Sequence, residues 1–63
     1  MENKPVVELS GHDGNVFNII GRVIKILKRA GLDDNAKNFS RRALNAQSYD
    51  EVLQLAMEYC EVE

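Results

Sequence analysis

Apolar residues recur along this chain with two different periods. Val6-Val7-Glu8-Leu9, just after Pro5, is β-branched and partly alternating, which predicts a short strand. From residue 15 to about residue 30 the period becomes helical. Val16, Phe17, Ile19, Ile20, Val23, Ile24, Ile26, Leu27 and Ala30 fill roughly half the circumference at 100° per residue. Asn18, Arg22, Lys25, Lys28 and Arg29 fill the other half. An apolar half-circle is wider than contact with one neighbouring helix needs, so this helix is expected to be central to the domain or to meet a second subunit.

Two further helices follow. The second starts at Leu32-Asp33-Asp34, with Asp33 expected as the N-cap, and carries Ala36, Phe39, Ala43 and Ala46 on its apolar side. The third opens on Ser48-Tyr49-Asp50-Glu51, a serine followed three residues later by glutamate, which is a capping box. Its inward face is expected to hold Tyr49, Val52, Leu53, Leu55, Ala56, Tyr59 and Cys60. Residues 59–63 alternate apolar and acidic, so they either fray from the helix or turn extended. The expected fold is therefore mainly α: a short N-terminal strand followed by three helices in a single domain, residues 1–63. A lone strand leaves its backbone polar groups unpaired. Its partner is either the C-terminal tail or the same segment of another subunit.

Two glycines punctuate the first helix differently. Gly31 stands where a C′ glycine ends a helix. Gly21 falls in the middle, where glycine costs up to about 1 kcal/mol relative to alanine. Close approach of another backbone would account for it.

At 63 residues the chain buries only about 60% of its unfolded surface and is marginal by itself. One cysteine, Cys60, excludes an internal disulfide, and one histidine with one cysteine excludes a four-ligand zinc site built on those residue types. No metal and no cofactor are expected. Self-association is the remaining source of stability, which predicts a homo-oligomer; Val6, Val7, Leu9, Ile19 and Ile26 are the candidate interface residues. The free cysteine, the lack of a signal-peptide core and the lack of a long apolar run predict a cytoplasmic protein with no membrane partner.

Net charge is −2, but the signs are segregated. Residues 22–42 carry Arg22, Lys25, Lys28, Arg29, Lys37, Arg41 and Arg42 against Asp33 and Asp34, a net of +5. Residues 43–63 carry Asp50, Glu51, Glu58, Glu61 and Glu63 with no base, a net of −5. Such blocks are expected to screen each other within the fold or to pair between subunits. The basic stripe Arg22, Lys25, Arg29, with Arg41 and Arg42, is a candidate nucleic-acid contact. The acidic third helix would repel phosphates, so nucleic acid is disfavoured as a partner.

The one polar cluster of catalytic residue types is Ser10-Gly11-His12-Asp13-Gly14-Asn15. His12 beside Asp13 could move a proton, but no serine or cysteine nucleophile is tied to them. The segment reads as a strand-to-helix turn whose aspartate and asparagine bond local backbone, with Asp13 or Asn15 capping the helix. No catalytic residue is assigned, and the protein is expected not to be an enzyme. A helix N-terminus also offers free N–H groups to anions. Asp13, Gly14, Asn15, Asn18 and Arg22 are therefore candidate ligands for an anionic, nucleotide-like molecule, although neither a P-loop nor a dinucleotide fingerprint is present.

The stretch Leu9-Ser10-Gly11-His12-Asp13-Gly14-Asn15-Val16-Phe17-Asn18-Ile19-Ile20-Gly21-Arg22-Val23 resembles the opening of a group of short uncharacterised proteins of bacteria, phages and plasmids. That group shares a DGN turn followed by an apolar helix with an internal glycine. Ser48-Tyr49-Asp50, Leu53, Met57 and the terminal Val62-Glu63 are similar to its ending. The resemblance implies a mobile-element accessory protein and carries over no functional residue. The expected function is a small non-catalytic protein-interaction module. The alternatives are sequestration of an anionic small molecule, for instance a defence signal, and nucleic-acid binding through the basic stripe.

Overall fold

The computed structural model describes residues 4–8 and 15–63. Its elements run β1 (Val6–Val7), α1 (Val16–Arg29), α2 (Asp33–Leu44), α3 (Tyr49–Tyr59) and β2 (Glu61–Val62). A strand at each end of the chain thus frames three helices, the mainly helical architecture expected from the periodicity.

Each helix end follows from local chemistry. Asn15 caps α1: its side-chain oxygen accepts the Phe17 N–H at 2.9 Å, satisfying a donor that the helix itself cannot. At the other end Gly31 has φ +78°, open to glycine without strain. The Leu32 N–H then reaches the Leu27 carbonyl at 2.9 Å and the Gly31 N–H reaches that of Lys28 at 3.0 Å, a complete Schellman motif. Lys28 and Arg29 in that last turn complement the helix dipole.

The start of α2 differs from expectation by one residue. Leu32, not Asp33, occupies the cap position, and its carbonyl accepts the Ala36 N–H at 2.9 Å. The motif that ends α1 uses Leu32 as its last residue, so α2 begins at once, leaving no separate cap residue. Asp33 and Asp34 fall in the first turn, where their charge favours the dipole. Ser48 caps α3 as expected, its Oγ accepting the Glu51 N–H at 3.2 Å. Glu51 reaches back to the Gln47 N–H at 2.6 Å, one residue beyond the usual reciprocal partner.

At the end of α3 the chain does not fray. Cys60 turns extended (φ −139°, ψ 162°) and leads directly into β2. This tail is the partner of β1, and the two strands are parallel, with Val6 opposite Glu61 and Val7 opposite Val62. The Glu61 N–H donates to the Pro5 carbonyl at 2.8 Å and the Glu63 N–H to that of Val7 at 2.9 Å. Parallel strands need a long crossover. Here the crossover includes all three helices.

The core lies between the helices and the inner face of this small sheet. Ile19, Ile20, Val23 and Leu27 of α1 meet Ala36, Phe39 and Ala43 of α2, with Val52 and Ala56 of α3 and Val7 and Cys60 closing it. The alanines of α2 and α3 let the helices approach α1, and the Phe39 ring fills the space they leave. Phe39 stands edge-on to Tyr59, ring centroids 5.6 Å apart.

Two apolar residues lie further out than their periodicity suggested. Tyr49 is exposed at the first turn of α3, and Phe17 is 71% exposed. At 100° per residue Phe17 sits about 105° round α1 from the centre of the buried face, beyond the reach of α2 and α3. Gly21 also departs from expectation. Among the described residues, nothing lies within 4 Å of where its Cβ would be, so the close backbone approach expected there is not found among them.

Candidate interaction surfaces

The expected anion site is only partly in view. Asp13, Gly14 and His12 lie outside the described residues. Asn15 uses its side-chain oxygen to cap α1 and so takes an N–H that an anion would otherwise use. Asn18 and Arg22 follow it at one and two turns on the same side of the helix. Both border a groove described below, whereas Asn15 does not.

Among the expected interface residues, Val7 and Ile19 are each 2% exposed and contribute to the subunit's own core. They cannot meet a second subunit while the fold is intact. Leu9 lies outside the described residues. Val6, on the outer face of β1, is 49% exposed, and Ile26 is partly buried beside the core. The alternation of a strand explains the split between Val6 and Val7, since neighbouring residues face opposite sides.

The basic stripe is divided. Arg22, Lys25 and Arg29 of α1 border one groove, while Arg41 and Arg42 of α2 border another depression with Glu51 and Glu58 of α3. Arg42 faces acid directly. Its Nη1 donates to Glu58 Oε1 at 3.0 Å and to the Tyr59 hydroxyl at 3.1 Å, and Nη2 donates to Glu58 Oε2 at 3.4 Å. The Tyr59 and Glu58 hydrogen bonds hold the guanidinium pKa above its usual value. The opposed charge blocks thus meet within the fold at Arg42. This pair is about half exposed on both sides, so water and salt screen it.

Two concave surfaces remain. The larger, about 690 Å³, lies between β1 and α1. Val6, Val7 and Glu8 form one wall; Phe17, Gly21, Lys25, Ile26 and Arg29 are on the other. The smaller, about 320 Å³, lies where α1 begins, α2 ends and α3 begins. Val16, Phe17, Ile20, Leu44, Tyr49 and Val52 surround it. Leu44 is 69% exposed there, and Phe17 belongs to both surfaces. Sequence reasoning passed over Leu44. Its signal is a large apolar side chain out of phase with Ala36, Phe39 and Ala43 on the same helix.

No group of His, Cys, Asp and Glu able to hold a metal ion occurs among the described residues. Cys60 is 2% exposed, and burial pushes its thiol pKa up, which suppresses the reactive thiolate. No helix among the described residues is long and apolar enough to cross a membrane. No protein-family model, curated protein or solved structure matches the chain.

Proposed function

We propose that this chain is a non-catalytic protein-interaction module of the cytoplasm that self-associates through the apolar surface around Leu44. The observation that carries this reading is the pairing of Phe17 and Leu44, about 70% exposed, on adjacent elements around one depression. Tyr49 continues the same patch. Large apolar side chains scattered singly need no explanation, but grouped ones around a concavity mark contact sites. A domain of this size also gains most from covering such a patch.

Light scattering on the purified protein tests the reading. A dimer or larger assembly is expected at micromolar concentration, and Leu44→Glu is expected to give a folded monomer, judged by an unchanged far-UV circular dichroism spectrum. A wild-type monomer at that concentration, or an assembly unaffected by Leu44→Glu, would sink it.

A further inference from the structure

The groove between β1 and α1 combines four features that the self-association reading does not use. First, β1 has an open edge. The Pro5 and Val7 carbonyls point to β2, so the N–H and C=O of Val6, which alternate with them, point away from β2. No described strand pairs with that edge. An unpaired edge is a template for a further strand. Second, Lys25 and Arg29 lie on the facing α1 wall one turn apart, and neither has an ion-pair partner among the described residues. Third, Val6 and Ile26 add apolar surface between the edge and these charges. Fourth, Gly21 on the same wall leaves open space where any other residue would project. Its helix-propensity cost, about 1 kcal/mol relative to alanine, is offset by no contact of a described residue.

We propose that this groove binds an acidic, extended segment of another protein, added as a strand along the open edge of β1. The proposal rests on the interaction-module reading but places the partner on a different surface from the Leu44 patch. The length fits: Phe17 to Arg29 spans about 18 Å of helix axis at 1.5 Å per residue. That is the reach of about five extended residues. The segment's backbone pairs with Val6, its alternate, acidic side chains lie toward Lys25 and Arg29 in the space that Gly21 leaves, and the residues between them face away from α1. A second copy pairing symmetrically through β1 would bring two sets of Lys25 and Arg29 together, which like-charge repulsion opposes. A nucleic-acid strand would lack the alternating backbone donors and acceptors that match Val6.

Fluorescence anisotropy with a short labelled peptide alternating glutamate and valine tests this, using the Leu44→Glu protein so that assembly plays no part. Saturable binding is expected, with no binding of the matching lysine–valine peptide. The double variant Lys25→Glu/Arg29→Glu is expected to weaken binding by tenfold or more, at exposed positions that leave the fold intact. Gly21→Leu is expected to raise the melting temperature while abolishing binding, a combination that a purely structural role for Gly21 would not produce. Four results would each overturn the proposal: no peptide binding, binding indifferent to Gly21→Leu, displacement by an oligothymidylate at equal concentration, or loss of wild-type self-association in Lys25→Glu/Arg29→Glu, which would assign the groove to a second copy. If the Leu44 reading fails, the three peptide outcomes still decide this proposal, because they are read from peptide binding and not from assembly.

Discussion

Gly31 and Gly21 lie ten residues apart on α1 and its exit, and they have opposite explanations. Gly31 is accounted for wholly within the chain: its φ of +78° ends the helix and lets Leu32 and Gly31 itself bond back to α1. Gly21 has no described neighbour that needs it small, yet it lies on the wall of the groove between β1 and α1. The contrast separates two kinds of design in one helix. One face of α1 and its C-terminal turn are determined by folding; on the opposite face no described contact accounts for Gly21.

The comparison can be broken from either side. The largest effect is expected at Leu27, which lies on the folding side, fully buried, its carbonyl accepting the Leu32 N–H of the Schellman turn. Leu27→Ala should cost about 2–5 kcal/mol in urea denaturation, enough to threaten the folded state of so small a domain. Gly31→Ala is expected to cost about 1–2 kcal/mol, the penalty for placing a Cβ in a left-handed conformation. Gly21→Ala should change the sign, stabilising by up to about 1 kcal/mol in the same assay. If Gly21→Ala destabilises instead, Gly21 serves the fold after all and the contrast fails.

Two smaller effects concern the surfaces flanking α1. Burial holds the Cys60 thiol protonated in the folded chain, whereas unfolding lets it ionise near its ordinary value of about 9. The folded pKa is the raised one, so the stability from this group is full below about pH 9 and is lost as pH rises toward the folded value. Cys60→Ala should flatten that alkaline decline in a pH series of melting temperatures. Arg42→Ala should have the least effect on stability, detectable at low salt and absent at high salt, because its Glu58 partner is half exposed.

Much of the fold was legible along the chain because the rules involved are local. The Ser48 cap, the Gly31 terminus, the Asn15 option for α1 and the buried run Ile19, Ile20, Val23, Leu27 follow from residue types within a turn or two of each other. The shift of the α2 cap to Leu32 shows the limit of that reasoning, since two neighbouring motifs competed for one residue. The interaction surfaces were less legible. Val7 and Ile19 have the composition of an interface, but other parts of the same chain cover them. Phe17 and Leu44 stay exposed because no described element covers their side of the helices.

The sequence by itself determined that three helices form, where the first ends and the third begins, and that charge is divided between its halves. Those properties depend on neighbours a few residues apart, so pattern and propensity suffice. The tertiary structure alone decided that the tail pairs with β1 in parallel and that Arg42 meets Glu58. It also left the outer edge of β1 without a described partner strand, beside Lys25, Arg29 and Gly21. Each of these depends on residues brought together from distant parts of the chain, and that juxtaposition is set by how the helices pack around Phe39 and Leu27 rather than by any local signal.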